Sequence, residues 1–405
     1  MSRRLTGTFA ALRIRPFRIL WIGTWFAFVG FFMSTVVQSV VAFKLTGANR
    51  DVGLVIFGQG LMMFTLGPLG GAVADRLPKR RVIALSQLAT TAVFFAISWA
   101  LWSGRIQLAW LVAGSMVMGA SFAFLGPARQ SLAVELVAPE LRGNAIALTQ
   151  VANSACRVVG PALGGALLAW SANGAWVAYA VMGLFYLTSV VSVGLLPKST
   201  VREGARARRV LEDMLDGLRY VRHHDRLGTL MLLFTLVIIV GYPHVTILPG
   251  FVENQLGAAS ESASILWGVS ALGSLVASLM VAAMADSPRA SAYFSRLALG
   301  FGVSLIVVAL APGFAAVTVL MGVVGLVSGG FQTLAGAVIV RQTEPRYIGR
   351  VMSLTMLSFA GFGLMGLPIG ALADALGERV TFAALGVVVC GVVAWLRTPA
   401  TESSD

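Results

Sequence analysis

The chain has 405 residues, of which 57% are hydrophobic and only 12% charged, with a mean hydropathy of +0.84 and a formal net charge of +13. Soluble domains carry roughly 25% charged residues, so the composition excludes an ordinary water-soluble protein. Two cysteines, Cys156 and Cys390, both in apolar runs, and three histidines, two of them adjacent at His223 and His224, exclude a disulfide framework, a metal-ligand spacing and a catalytic triad.

Cutting the chain at its charged and Pro/Gly clusters leaves apolar runs near the length that crosses a ~30 Å hydrocarbon core. Twelve are predicted, at about 16–43, 52–75, 81–102, 107–128, 143–170, 175–196, 227–250, 262–285, 292–311, 314–340, 347–373 and 379–396. They must be helices, because isolated strands cannot satisfy their backbone groups in lipid. The first run is led by Arg3, Arg4, Arg13, Arg15 and Arg18; it is too long for a cleaved signal, lacks a small-residue cleavage site, and is expected to stay in the chain. With the N-terminus in the cytoplasm, all but five of the 30 Lys and Arg fall on the inside. The exceptions are Lys44, Arg50, Arg105 and Arg379 outside and Arg157 within a run. The positive-inside rule therefore accounts for the basic charge, and no nucleic-acid partner is needed. Twelve crossings return both termini to the cytoplasm.

Between the sixth and seventh runs, Pro197 to Arg226 is polar. The expected domains are an N-terminal bundle at 1–197, a cytoplasmic linker at 198–226 and a C-terminal bundle at 227–405. Within the linker, Val210, Leu211, Met214, Leu215, Leu218 and Val221 share one helical face among basic residues, as in a helix lying on an anionic leaflet. A solvated linker helix is the alternative. At an offset of 206, Gly119 meets Gly325, Pro139 meets Pro345, Gly143 meets Gly349, Gly160 meets Gly366 and Gly164 meets Gly370. Two pseudo-symmetric six-helix bundles are implied, with a substrate site near the bilayer midplane.

The second run ends in "GAVADRLPKRR", Gly71 to Arg81. Gly71 lets another helix approach one turn before Asp75. An acid at a helix C-terminus opposes its own helix dipole, so Asp75 should face a cation or a neighbouring N-terminus. Arg80 and Arg81 open the third run and can meet an acid such as Glu135. Gly71, Asp75, Arg76, Arg80, Arg81 and Glu135 are thus the candidate conformational latch on the cytoplasmic side; a simple topology anchor is the alternative.

With that loop the chain resembles the major facilitator superfamily, whose signature between helices two and three reads G-x-x-x-D-R-x-G-R-R/K. Gly71, Asp75, Arg76 and Lys79-Arg80-Arg81 match, and Pro78 stands in the usual glycine position. The second-half counterpart, "AMADSPRASAYFSRL", keeps Asp286 but few cations. "RVVGPALGGALL" resembles the helix-five motif of the antiporter branches: Arg157, then Gly160, Pro161, Gly164 and Gly165 on a kinked, side-chain-poor surface. Generic small-residue packing is the competing reading. "PARQSLAVELVAPELRGNAIAL" and "RQTEPRYIGRVMSL" resemble the macrolide-efflux and siderophore-exporter branch. The resemblance implies a monomeric antiporter in a bacterial inner membrane, coupled to protons, with no cofactor.

Arg157 falls near mid-membrane, where a cation is costly and should face the bundle interior or a cavity. No acid lies at that depth, so its partner is an anionic substrate or groups such as Asn153. The same absence leaves proton coupling to the resemblance alone. His244, beside Pro243, is the one histidine in a run and could titrate or simply pack. Gln38, Asn153, Arg157, Tyr242, His244 and Gln332 are the cavity candidates, with Gln59 another polar residue in a run. The leading expectation is alternating-access export of an amphipathic or anionic small molecule. An importer or facilitator of an organic anion, and a membrane enzyme or sensor without flux, are the alternatives. The absence of any phosphate-cradling glycine loop with its lysine argues against ATP hydrolysis.

Overall fold

The computed structural model describes residues 7, 9–170, 174–197, 210–282, 287 and 289–396; for 68, 71–76, 210–213 and 282 only the backbone is described. The chain forms helices α1 (Arg15–Thr46), α2 (Asn49–Arg76), α3 (Lys79–Trp102), α4 (Leu108–Glu135), α5 (Arg142–Trp170) and α6 (Gly174–Gly194). They are followed by α7 (Val210–Arg222), α8 (Asp225–Gly241), α9 (Ala263–Ala282), α10 (Ala290–Leu310), α11 (Phe314–Arg341), α12 (Ile348–Leu376) and α13 (Glu378–Trp395). Beyond α8 the chain stays helical to Gln255 through a 3-10 turn at Tyr242–Ile247, a short α turn and a π turn at Phe251–Gln255. Pro243 and Pro249, which lack an amide N–H, fall in that irregular stretch. Among the described residues, eleven helical stretches are long and apolar enough to cross a membrane.

Contacts divide the chain into two compact units: residues 1–41 with 61–210, and residues 42–60 with 211–405. The division therefore runs through the last turn of α1 and through α2, and all of α7 but Val210 falls in the second unit.

In the first unit, α3 packs on α4 and α6, and α5 lies directly on α1. A Cβ at Gly160 would sit 2.7 Å from Phe32 Cβ and 2.8 Å from the Met33 amide nitrogen, so only glycine permits that spacing. In the second unit, α10 packs on α13 and α9 on α11. The first half of α2 lies backbone-to-backbone on α12. A Cβ at Gly60 would come 2.6 Å from Gly363, and Gly53 and Gly366 meet in the same way.

The sequence repeat is reproduced in the helix ends. Shifting α4 and α5 by 206 gives the limits of α11 and α12 at both ends. The pairs α3–α6 and α10–α13 are likewise counterparts.

Candidate functional site

The signature loop is built by charge at helix ends. α2 ends at Arg76, and Leu77 and Pro78 alone lead into α3. Pro78, with φ −56°, occupies the residue before the first helical position, where a missing N–H costs nothing. Its carbonyl accepts the Arg81 amide at 2.8 Å. Proline in place of glycine is thus compatible with a tight two-residue turn.

Lys79, not Arg80, forms the ion pair with Glu135 at the end of α4. Arg80 reaches to α6, donating from Nη1 to the Leu196 carbonyl at 2.5 Å and from Nη2 to the Gly194 carbonyl. These carbonyls close a helix C-terminus, where cations are favoured. Arg81 is exposed. The side chains of Gly71, Asp75 and Arg76, and all of Asp286, lie outside the described residues.

Around mid-helix in the first unit, Arg157 is half-buried. Its Nε donates to Asn153 Oδ1 at 3.3 Å, and its guanidinium lies 5.4 Å from the centre of the Phe32 ring. Gly160 and Gly164 face α1, and Pro161 and Gly165 are buried. Gln38 is 5% exposed and donates to Met118 Sδ at 3.1 Å, tying α1 to α4.

In the second unit, Tyr242 donates to the Ser328 carbonyl at 3.0 Å, and Gln332 is half-buried on α11. His244 is 4% exposed; its Nδ1 lies 2.8 Å from the Gly241 carbonyl, and its ring packs between Phe301 and Phe382. That is the environment of a packed aromatic-like side chain.

Two groups escaped the sequence reading. Arg129, expected in an inside loop, lies within α4 because the helix runs seven residues past the predicted 128. It is 5% exposed, 3.4 Å from Ser189 Oγ and 5.6 Å from the centre of the Phe28 ring. Its Nε has no hydrogen-bond partner among the described residues. The uninterrupted Leu132–Ala133–Val134 beyond it was the available signal.

The other is a polar knot in the second unit. Asp374, in the last turn of α12, accepts the amides of Asn49 and Arg50 at 2.8 Å each, so it caps α2 from another helix. Glu378 opens α13 after Gly377, whose φ of +88° favours glycine. Although 3% exposed, Glu378 accepts Asn49 Nδ2 at 3.0 Å, Asn254 Nδ2 at 2.7 Å and Gln255 Nε2 at 2.9 Å. Lys44, five residues before Asn49, pairs with Glu261 in the same unit. Arg379 donates to the Ala309 and Ala311 carbonyls at 2.8 Å. Among the described residues no group of three or more His, Cys, Asp or Glu could hold a metal.

A whole-chain helical arrangement of this kind, with a charged two-residue loop after α2, agrees with the family whose profile, described as a transmembrane secretion effector, matches residues 6–405. The chain belongs to this family of the major facilitator superfamily. Members similar to it include the uncharacterized MFS-type transporter YfiS of Bacillus subtilis, 26% identical over 91% of this chain and 89% of YfiS. Macrolide efflux protein A of Streptococcus pyogenes is 24% identical, covering 92% and 93% of the two chains. The staphyloferrin A transporter of Staphylococcus aureus is 22% identical over 91% and 90%. A bacterial homologue of the human lysosomal transporter Spinster, solved inward-facing and occupied, matches the fold with a TM-score of 0.76 at 15% identity, covering 96% of this chain and 98% of that one. This secretion-effector family member is thus an MFS-type, multi-pass membrane transporter.

Proposed function

We propose that the chain is a secondary active transporter that works by alternating access and exports amphipathic or anionic organic compounds in exchange for protons. In this reading it is a monomer crossing the bacterial inner membrane twelve times, with both termini cytoplasmic and bundles at 1–197 and 227–405 joined by the linker 198–226. No covalent step, cofactor or metal enters. The observation that carries the reading is the match of nearly the whole chain to a secretion-effector family, with relatives named for macrolide efflux and staphyloferrin A transport. Alternating access is supported by the repeat of helix ends at one offset, since such repeats are the parts that rock in transporters.

The two ends of α2 have different roles in this cycle. At its cytoplasmic end, Gly71, Asp75 and Arg76, with Arg80, Arg81 and Glu135, form the inner latch. At its other end, Asp374 and Glu378 hold Asn49 and Arg50 within the second unit, and release of this knot accompanies the opposite state. The candidate substrate contacts are the half-buried side chains of Asn153 and Arg157 in the first unit and of Tyr242 and Gln332 in the second, whereas Gln38 and His244 are buried on partners within their own units.

A proteoliposome flux assay with an imposed pH gradient and a panel of anionic, cationic and zwitterionic compounds tests the reading. Export predicts accumulation in inverted vesicles driven by acid inside; gradient-independent equilibration of every compound would overturn proton coupling. The half-buried Arg157 favours a second reading, uptake or facilitated passage of an organic anion. Under it, accumulation appears in whole cells instead of inverted vesicles, and Arg157→Ala abolishes handling of anions alone.

A further inference from the structure

The linker helix α7 carries chemistry that the transport reading leaves unused. One face is docked on the start of α12. Tyr220, 8% exposed, stacks on Tyr347 with ring centres 4.0 Å apart at 14°, and its hydroxyl oxygen accepts the Glu344 amide at 3.1 Å. Asp216 lies 3.7 Å from Arg350, whose Cβ fills the space left by Gly217. Val221 is buried alongside. These contacts fix which face stays free.

The free face is apolar at its centre and cationic at its edges. Leu215 and Leu218 are 46% and 45% exposed, and Arg219 and Arg222, exposed as well, lie beside them at helical spacing. On the flank, between this face and the docked one, opens a cavity of about 340 Å³ lined by Asp216, Arg219, Tyr220, His223, His224 and Tyr347. His223 and His224 place Nδ1 2.7 and 2.8 Å from the carbonyls of Arg219 and Tyr220, so Nδ1 carries the proton. Only His223 and His224 separate α7 from α8, which begins at Asp225 and enters an apolar stretch able to cross a membrane. Chain connectivity therefore keeps α7 close to the bilayer surface.

We propose that the free face of α7 and its flanking cavity bind anionic phospholipid: Leu215 and Leu218 enter the boundary between headgroups and acyl chains, while Arg219 and Arg222 pair with lipid phosphates. A soluble phosphate offers the two leucines nothing, and a zwitterionic surface offers the arginines no net charge. An anionic leaflet satisfies both. The binding is independent of transport direction and of the coupling ion.

The test uses the full-length protein in nanodiscs of phosphatidylcholine, with or without phosphatidylglycerol, followed by amide exchange over residues 215–223. Each arginine near an anionic surface adds roughly fivefold in occupancy, so anionic lipid should slow exchange severalfold, and added salt should erase the effect. Arg219→Gln with Arg222→Gln should remove the increment and leave the rate in phosphatidylcholine unchanged. Leu215→Ser with Leu218→Ser should reduce it without altering the Tyr220–Tyr347 docking, read from exchange at the start of α12. Equal exchange with and without anionic lipid overturns the proposal. So does an equal effect from excess inorganic phosphate over phosphatidylcholine alone, or protection that appears only when two copies share a disc.

Discussion

Asp374 offers α2 two oxygens, one to the amide of Asn49 and one to that of Arg50. Asp374→Asn keeps the shape and one acceptor but removes the charge and the other acceptor. A hydrogen bond to a charged group is worth about 1.5 kcal/mol at the low end, and the exposure of Asp374 brings this to about 1 kcal/mol. Losing a negative charge at a helix N-terminus adds about 0.5 kcal/mol. The sum, about 1.5 kcal/mol, is about tenfold in the equilibrium between held and released α2. The assay is hydrogen exchange of the reconstituted protein over residues 45–56. The amides of Asn49 and Arg50 should exchange about tenfold faster, with rates in α5 unchanged. Asp51→Asn serves as the comparison: its 3.7 Å pair with the largely exposed Arg50 is worth little, so it should lose only the first-turn charge effect of about 0.5 kcal/mol and exchange about twofold faster. Unchanged exchange in a correctly inserted Asp374→Asn protein would refute the reasoning, since the cap would then hold nothing.

Glu378→Gln places an amide group among three amide donors, so at least one buried N–H loses its acceptor; a cost of roughly 1–3 kcal/mol should appear as a fall of several degrees in Tm. Gly60→Ala drives a methyl into the backbone at Gly363 and should cost about 1–3 kcal/mol, measured by thermal unfolding, whereas Gly67→Ala, with open space around it, should be neutral or mildly stabilising. Asp75→Asn should lower transport in the flux assay while leaving insertion and yield intact; undiminished export would count against an inner latch.

Helix existence and the twofold repeat were legible because both are written locally, in runs of apolar residues and in glycines at one offset. Helix ends were less so. The apolar run of α4 breaks at Pro127-Ala-Arg-Gln, yet the helix continues to Glu135, because the Arg129 guanidinium turns inward beside Phe28 and Ser189. α2 begins three residues before its apolar run because its polar first turn is capped from outside. The candidate residues fared according to range. Arg157 found Asn153 one helical turn away, a partner visible in the sequence. The knot joins Asn49 to Asp374 and Glu378 across more than three hundred residues, and no local pattern announces such a pairing. Gln38 and His244, singled out because they are polar within apolar runs, have partners inside their own units, Met118 and Gly241.

The repeat also separates what each half must keep from what it may exchange. Gly160 and Gly366 are related by the same offset and meet the same demand, a backbone approach that a side chain would block. Gly160 spends it on Phe32 and Met33 of α1, inside a unit built from its own half of the sequence. Gly366 spends it on Gly53 and Ile56 of α2, a segment that comes from the other half. The α1–α5 contact is internal to one bundle and can persist through any motion of that bundle as a body. The α2–α12 contact joins a segment to a unit to which most of its own helix does not belong, and the polar groups that secure it, Asp374 and Glu378, sit at its end instead of along its length. Glycine surfaces with few interlocking side chains can part without repacking a core. If a rocking cycle must undo one of these two related crossings, it is the second, and exchange at Asn49 and Arg50 should respond to substrate while exchange at Met33 should not.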